Sequence, residues 1–210
     1  MKHINIAILF SGNGSNLENI AQFLRLDSTK DKLESIGLKV AITLGLCNNP
    51  NAYGLKRCEN LGIPTQIISH KDYHTREAFD EAISEVLQKA RIDLVVLAGF
   101  MRILGAEITK QFTIMNIHPS FLPLYKGAHA IRDSFLGSED FGGVSVHFVD
   151  ENLDSGEMVL QEKIPKIAGE SLQDFEHRIH TLEYQIYPQA LLRVLEDLAR
   201  GNGLGDKTKA

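Results

Sequence analysis

The chain has 210 residues, 43% of them hydrophobic, which is enough for one domain with a sizeable core. Its formal net charge of -5 and its pI near 5.9 provide no basic field for a phosphate backbone, so we expect no nucleic-acid partner. No apolar run reaches the roughly 20 residues of a membrane span, and no signal-peptide pattern precedes the first apolar run at Ile4. Cys47 and Cys58 fit a reducing compartment as buried thiols. We therefore expect a cytoplasmic protein.

The first half of the chain alternates apolar runs with helical patterns. The run 4–10 stops at the glycine-bearing segment 11–16 and is followed by apolar residues at helical spacing: Leu17, Ile20, Ala21 and Leu24. Further strands are predicted at 40–47, 67–69 and 94–98, and further helices at 52–61 and 76–90. This alternation predicts an α/β fold in which helices cover both faces of a parallel sheet.

The second half departs from that rhythm after a buried strand at 112–118. An irregular loop, 119–127, is followed by these predicted elements: a short helix at 130–136, alternating strands at 144–150 and 158–164, and a long helix at 171–198. We expect the two strands to add to the sheet in antiparallel fashion. The chain is thus predicted to form a single domain over 1–200, with a polar, disordered tail at 201–210.

The segment 11–16 joins the first strand to the first helix, and such a junction brings backbone N–H groups and a helix N-terminus together. It differs from the dinucleotide fingerprint, because Leu17 stands where the third glycine belongs and the second strand ends in Asn48 instead of an acid. NAD is therefore disfavoured. Two interpretations stay open: a phosphate site, or a tight turn in which Ser15 or Asn16 caps the helix.

Asn116 and His118 lie two apart on a predicted strand and should project side by side from its end, while Asp154 lies in a later turn. An amide and an imidazole aimed at one point could stabilise an oxyanion, with the carboxylate holding the imidazole charged and oriented. The alternative is that they are hydrogen-bonded core residues. Neither Ser15 nor Ser120 lies in a nucleophile elbow, so covalent catalysis is poorly supported.

The other histidines are predicted to be structural or exposed. His70 and His74 lie four apart in a polar stretch without a third ligand, so we interpret them as surface residues and predict no metal site. His147 is expected to be exposed to solvent on the polar face of its strand. His177 and His180 are expected to pack along the last helix.

At these residues the chain closely resembles the phosphoribosylglycinamide formyltransferases, short folate-dependent enzymes of purine synthesis. The matching stretches are Ser11-Gly12-Asn13-Gly14-Ser15-Asn16-Leu17, Val96-Leu97-Ala98-Gly99-Phe100-Met101-Arg102-Ile103-Leu104, Asn116-Ile117-His118-Pro119-Ser120, Ser145-Val146-His147-Phe148-Val149 and Asp154-x-Gly156. They occur in the family's order over nearly the whole chain. The resemblance implies a Rossmann-like, three-layer formyltransferase fold with a mostly parallel central sheet and an antiparallel addition in its C-terminal half.

The resemblance also implies two substrate sites and a catalytic set. The catalytic residues would be Asn116, His118 and Asp154. The acceptor, 5-phosphoribosylglycinamide, would contact Gly14, Ser15, Asn16, His180, Thr181, Leu182 and Glu183. The formyl-donating co-substrate, 10-formyltetrahydrofolate, would contact Arg76, Met101, Arg102, Ile103, Leu104, Asn116, Asp150, Glu151, Asn152, Leu153 and Asp154.

The implied reaction is direct formyl transfer in de novo purine (IMP) biosynthesis. The glycinamide amine would attack the formyl carbon, and Asn116 and protonated His118 would hold the tetrahedral species. The products would be formylglycinamide ribonucleotide and tetrahydrofolate. Two departures affect the loop 119–127: Phe121 replaces a common Leu, and Tyr125-Lys126-Gly127 replaces a commoner Tyr-Pro-Gly.

Three other functional interpretations compete with that of a phosphoribosylglycinamide formyltransferase. A formyltetrahydrofolate deformylase usually carries His-His where His118-Pro119 stands here, with a regulatory domain before it. A methionyl-tRNA formyltransferase carries an additional C-terminal domain. A non-catalytic nucleotide-binding module would keep the glycine-bearing loop and would have no need to assemble Asn116, His118 and Asp154.

Overall fold

The computed structural model describes residues 1–201, and in this part of the chain one seven-stranded sheet carries the fold. The strands are β1 (Lys2–Phe10), β2 (Leu38–Cys47), β3 (Thr65–Ile67), β4 (Leu94–Leu97), β5 (Ile114–His118), β6 (Phe141–Phe148) and β7 (Met158–Pro165). The helices are α1 (Ser15–Arg25), α2 (Asp27–Ser35), α3 (Gly54–Leu61), α4 (Arg76–Lys89), α5 (Ala106–Gln111), α6 (Ala130–Leu136) and α7 (Leu172–Ala199). The predicted disordered tail lies outside the described residues from 202 onward.

The strand order across the sheet is β3-β2-β1-β4-β5-β6-β7. The pairs from β3 to β5 are all parallel, whereas β5 with β6 and β6 with β7 are antiparallel. The prediction of an α/β fold with a mostly parallel sheet and an antiparallel addition is therefore confirmed. Since β4 and β5 are adjacent and parallel, their carboxyl ends open on the same edge of the sheet.

Apolar layers cover both faces of the sheet. Along β1, Ile6 and Ile8 pack into a core with α1 and α7, while Ala7 and Leu9 pack into a second core with α4 and α5. Alternate residues of a strand point to opposite faces, so a strand apolar at every position must be buried on both. This arrangement explains the continuous apolar run 6–10 near the start of the sequence.

Three elements differ from the sequence-based expectations. α2 and α5 were not predicted, because each buries only two residues and so carries little apolar periodicity. The strand expected at 67–69 is β3 (Thr65–Ile67), which pairs with Gly45 to Cys47 at the sheet edge. The other predicted strands and helices agree with the structure to within a few residues at their ends.

The long helix α7 is fixed at both its start and its middle. Ser171 and Asp174 form a reciprocal capping box at its N-terminus. Further along, the fully buried Tyr187 donates a hydrogen bond from its hydroxyl to the Leu97 carbonyl (2.8 Å), which ties the helix to the end of β4. Among residues 1–201, no helix is both long and apolar enough to cross a membrane.

Candidate active site

The end of β5 carries the amide and the imidazole that the sequence singled out. Asn116 is half-buried and His118 is buried, while Met115 and Ile117 point the other way into the core beneath α7. The strand stops at His118 because Pro119 follows and cannot donate to a sheet ladder. The predicted side-by-side arrangement of Asn116 and His118 is thus the arrangement observed.

Asp154 reaches this pair from the turn between β6 and β7. Its backbone is left-handed (φ 48°), a conformation that Asp tolerates better than most residues. One carboxylate oxygen, Oδ2, accepts the Gly127 N–H (2.9 Å) and lies 3.5 Å from His118 Nδ1. The other, Oδ1, lies 3.7 Å from His147 Nε2. Asn116, His118 and Asp154 therefore meet at one place, with His147 between the amide and the carboxylate.

The surroundings of His118 suit an imidazolium. Its Nε2 donates to the Tyr125 carbonyl (2.9 Å), and a carbonyl can only accept. Its Nδ1 faces the Asp154 carboxylate at 3.5 Å, which is also only an acceptor when ionised. Both ring nitrogens thus face acceptors, and the doubly protonated ring satisfies both. The positive charge of such a ring can stabilise a developing oxyanion nearby.

The expectation that His147 is exposed is wrong, since only 2% of the residue is accessible. Its Nδ1 donates to the Phe148 carbonyl (2.8 Å), and its Nε2 lies 3.3 Å from Asn116 Nδ2. Burial lowers the pKa of the His147 imidazole, and the Phe148 carbonyl and Asp154 oppose that effect only in part. His147 is therefore a neutral member of the site.

The remaining histidines divide between surface and interior. His74 is exposed, as expected, but His70 is half-buried, with Nδ1 3.4 Å from Asn48 Nδ2 and its ring edge against Phe79. His177 is exposed, so the expectation that it packs along the last helix is wrong. These residues lie on other parts of the fold from the cluster around Asp154.

A cavity of about 550 Å³ adjoins the end of β5, and Ile117 and Pro119 on either side of His118 line it. Five of the predicted acceptor-binding residues also line this cavity: Gly14, Ser15, Asn16, His180 and Glu183. The other two point elsewhere. The Thr181 hydroxyl donates to the His177 carbonyl (2.8 Å), and Leu182 is buried in the core.

The glycine-bearing loop, residues 11–16, has at one position a backbone conformation that favours glycine. Gly14 is left-handed (φ 75°), and a Cβ there would lie 2.6 Å from the Gly54 Cα. Gly14 is also the N-cap of α1, and among the described residues no side chain caps this helix, so the alternative interpretation of a turn capped by Ser15 or Asn16 is wrong. Asn16 Oδ1 is buried and has no hydrogen-bond partner within residues 1–201. Uncapped N–H groups at a helix N-terminus favour an anion.

His180 and Glu183 form a pair one helical turn apart on α7, at the cavity wall. His180 Nδ1 lies 2.6 Å from Glu183 Oε2, and Glu183 is only 6% exposed. The hydrogen bond to Glu183 raises the pKa of the His180 imidazole, although partial burial works against it. The pair thus places a nearly buried carboxylate and a hydrogen-bonded imidazole beside the glycine-bearing loop.

The segment 101–104, expected to contact the donor, is held at both ends by side chains. Ser11 Oγ accepts the Met101 N–H (2.8 Å), and Asp80 Oδ2 accepts the Gly105 N–H (2.7 Å). Between these anchors Met101 and Ile103 are largely exposed, at 68% and 56%. Arg102 is also exposed, whereas Leu104 is buried. The exposed Arg76 lies near Gly105: its Nε is 3.8 Å from the position that a Cβ would occupy on Gly105.

The turn 150–154, expected to contact the donor, is held by its own polar groups and by a lysine of the loop 119–127. Asp150 Oδ1 accepts the Asn152 N–H (2.8 Å), and Lys126 Nζ donates to the Leu153 carbonyl (3.2 Å). Glu151, Asn152 and Leu153 are exposed. The turn therefore presents its surface next to the buried carboxylate of Asp154.

The sequence profile of the formyl transferase family matches residues 4–191. The chain belongs to the formyl transferase family. A phosphoribosylglycinamide formyltransferase from Escherichia coli (strain K12) is 37% identical over 187 residues, which are 88% of this chain and 84% of that protein. The crystal structure of phosphoribosylglycinamide formyltransferase from Campylobacter jejuni shares 42% sequence identity and a TM-score of 0.85, covering 92% of this chain and 98% of that one.

A further relative is much longer than this formyl transferase. The trifunctional purine biosynthetic protein adenosine-3 of Drosophila melanogaster is 37% identical over 196 residues, or 92% of this chain, yet the chain spans only 14% of that protein's length. The resemblance to phosphoribosylglycinamide formyltransferases and the Rossmann-like formyltransferase fold are both confirmed by these matches.

Several site residues of this formyl transferase were not found from the sequence. His147 was missed, although the antiparallel pairing of β5 with β6 sets it directly opposite Asn116. His129, Arg132 and Glu176 also line the cavity. Their sequence neighbourhoods contain no motif, so only the tertiary packing of α6 and α7 reveals them.

Proposed function

We propose that this formyl transferase moves the formyl group of 10-formyltetrahydrofolate to the amine of 5-phosphoribosylglycinamide, giving formylglycinamide ribonucleotide and tetrahydrofolate in de novo purine (IMP) biosynthesis. The observation that carries the proposal is the meeting of Asn116, His118 and Asp154 beside a cavity lined by the glycine-bearing loop. The relatives of similar length named phosphoribosylglycinamide formyltransferase support the same acceptor.

The acceptor would bind in the cavity with its phosphate at the N-terminus of α1. Within residues 1–201 the start of α1 has no side-chain cap and Asn16 Oδ1 has no hydrogen-bond partner. Both facts support this position, since the helix start can receive the phosphate and the amide oxygen can accept from a ribose hydroxyl. Glu183 would accept a hydrogen bond from the glycinamide amine. Its pairing with His180 supports that role, because it holds the carboxylate in one orientation at the wall.

The donor would lie across the segment 101–104 and the turn 150–154. The exposed apolar side chains of Met101, Ile103 and Leu153 support this, because a folate offers flat ring systems that can cover them. Arg76, exposed at the start of α4, would face the negative charge of the folate's glutamate. The formyl group would then lie near Asn116 and His118.

The reaction would proceed by direct attack. The neutral amine forms a bond to the formyl carbon, and the carbonyl electron pair moves onto oxygen, where Asn116 Nδ2–H and the His118 imidazolium stabilise it. The attacking nitrogen loses a proton, and N10 of the folate gains one as its bond to carbon breaks. Asp154 stabilises the charged ring throughout, since its carboxylate lies 3.5 Å from His118 Nδ1.

The test is to incubate the purified protein with 10-formyltetrahydrofolate and to follow tetrahydrofolate formation with and without 5-phosphoribosylglycinamide. Acceptor-dependent turnover, with a formylated ribonucleotide found by mass spectrometry, is expected. Turnover at the same rate without the acceptor would instead identify a hydrolase and overturn the proposal. As a control, His118→Ala should abolish turnover and leave ribonucleotide binding largely intact by calorimetry, since the glycine-bearing loop is separate from β5.

The proposal treats the folate as a co-substrate and assigns small molecules as the partners. A cytoplasmic location and the absence of a metal from the reaction stay predictions from the sequence.

A further inference from the structure

We infer that His147 is a positioning residue: as a neutral imidazole with its proton on Nδ1, it fixes the orientation of the Asn116 carboxamide in the active site. The assignment of this hydrogen bond depends on the contacts and the burial of His147. Its consequence for turnover rests on the proposed formyl transfer.

The location of the proton follows from the Phe148 carbonyl. His147 Nδ1 lies 2.8 Å from this oxygen, which can only accept, so Nδ1 must carry hydrogen. The ring is buried at 2% exposure, and this burial lowers its pKa, which favours the neutral form. A neutral ring with Nδ1–H has a lone pair on Nε2. His147 therefore accepts at Nε2.

The lone pair on Nε2 decides which end of the Asn116 side chain faces it. Asn116 Nδ2 lies 3.3 Å from Nε2 and can donate one of its two hydrogens. If the carboxamide were flipped, Asn116 Oδ1 would face the same lone pair, and two acceptors would meet in a partly buried place. His147 thus excludes the flipped amide. The second Nδ2 hydrogen is left to stabilise a developing oxyanion.

The pairing of β5 with β6 explains why this contact is available. Asn116 and His147 lie directly opposite each other in the antiparallel ladder, and opposed side chains project from the same face of a sheet. The contact therefore depends on register and not on a mobile loop.

Protonation of His147 at Nε2 would reverse the arrangement. The ring could no longer accept from Asn116 and would instead donate toward Asp154 Oδ1, which lies 3.7 Å away. The charged and titratable groups that face His147 are His118 from β5, together with Asp150 and Asp154 from the turn after β6. His118 would then share its carboxylate with a second cation. We expect Asn116 to lose its fixed orientation in that state.

The direct test is ¹⁵N NMR of the histidine rings in the wild-type protein at neutral pH. A neutral His147 with hydrogen on Nδ1 is expected, and a signal from the Nε2–H tautomer or from an imidazolium would overturn the inference. This measurement needs no substrate. It therefore separates the inference from the proposed function, which fails independently if the wild-type protein transfers no formyl group.

Two variants test the consequence for turnover. His147→Leu removes the acceptor and should lower kcat by more than about tenfold, with both KM values changed less than about twofold, because a disoriented donor acts mainly on the transition state. His147→Gln places an oxygen near the former Nε2 position and should recover most of that loss. If kcat is unaffected in His147→Leu, or if His147→Gln is as slow as His147→Leu, the positioning role is wrong.

A double variant separates positioning from general damage. In an Asn116→Ala background, His147→Leu should lower kcat by less than about twofold further, since there is no amide left to orient. An equal loss in both backgrounds would overturn the inference. Should His147→Leu fail to fold, the NMR measurement and the nearly wild-type kcat expected of His147→Gln still decide the question.

Discussion

The backbone N–H of Gly127 donates to Asp154 Oδ2 (2.9 Å), the same oxygen that lies 3.5 Å from His118 Nδ1. The loop that ends at Gly127 also supplies the Tyr125 carbonyl, which accepts from His118 Nε2 (2.9 Å). The groups that face the two ring nitrogens of His118 are thus linked to each other, because the loop that supplies the Tyr125 carbonyl also donates to the Asp154 carboxylate. Because these bonds share partners, we expect a change at Asp154 to affect both the charge of the site and the position of the loop.

Asp154→Asn separates these two effects. An amide oxygen can still accept from Gly127, but the charge that stabilises the His118 imidazolium is lost. We expect kcat to fall by about 10²-fold or more, in steady-state assays of formyl transfer. The matched control is Asp140→Asn. Asp140 is exposed and directly precedes β6, so kcat of this variant should stay within about twofold of the wild-type value. Wild-type turnover in Asp154→Asn would contradict the role given to the carboxylate.

Ser145 holds the chain that follows His118, and its loss should destabilise the protein. The residue is fully buried; its Oγ donates to the Ser120 carbonyl (2.7 Å) and accepts from the Leu122 N–H (3.0 Å) and from Gln161 Nε2 (2.9 Å). Ser145→Ala leaves buried polar groups without a partner, at a cost of about 1–3 kcal/mol in the free energy of unfolding.

Urea denaturation followed by circular dichroism measures this cost. Ser28→Ala, at an exposed position of α2, is the control and should change the free energy of unfolding by less than about 0.5 kcal/mol. Equal stabilities of the two variants would show that the Ser145 hydroxyl is not needed to anchor the loop.

Gly14→Ala should distort the start of α1. Alanine is strained at φ 75°, and its Cβ would lie 2.6 Å from the Gly54 Cα, so we expect a loss of at least about 1–3 kcal/mol in the free energy of unfolding. Gly12→Ala is a matched control in the same loop, because a Cβ there would meet nothing within 4 Å among the described residues. Thermal melts of the two variants compare them directly, and similar melting temperatures would refute the steric argument.

The sequence predicted best those elements whose apolar residues repeat with a single period. The four residues predicted to face the core from α1 are the ones the structure buries: Leu17, Ile20, Ala21 and Leu24. By contrast, α2 buries only Thr29 and Leu33, so its position depends on packing that its composition does not indicate. The two-residue repeat of a strand also predicted that Asn116 and His118 share one face of β5. These two residues are the part of the candidate site that a single segment of sequence determines.

The rest of the candidate site depends on register and turn geometry. In β6 the residues from Gly142 to His147 are all buried, because both faces of the strand are covered, so polar and apolar alternation could not reveal where His147 points. The approach of Asp154 to His118 requires a left-handed residue in a turn, which one sequence cannot fix. Asp154 was predicted as the partner of His118 from the resemblance to the phosphoribosylglycinamide formyltransferases.

The pair His180 and Glu183 allows a prediction about charge at the wall of the cavity. The hydrogen bond that His180 Nδ1 donates to the Glu183 carboxylate, aided by the charge of Glu183, raises the pKa of the His180 imidazole above its ordinary value of about 6.5. A histidine whose pKa is raised by folding binds its proton more tightly in the native state. Its contribution to stability is therefore fully present below about pH 6.5 and is lost as the pH rises through the higher, native pKa.

NMR titration of the His180 ring should show this midpoint above about 6.5 in the wild-type protein, and Glu183→Gln should move it back toward that value. Glu176→Gln, on the same helix, is the matched control and should lower the midpoint less, because Glu176 acts only through its charge as the weakest of the contributing groups. A midpoint that does not move in Glu183→Gln would mean that the pair is not coupled in solution. Glu183 would then be less firmly held for the amine of an acceptor, since His180 is the group that orients its carboxylate.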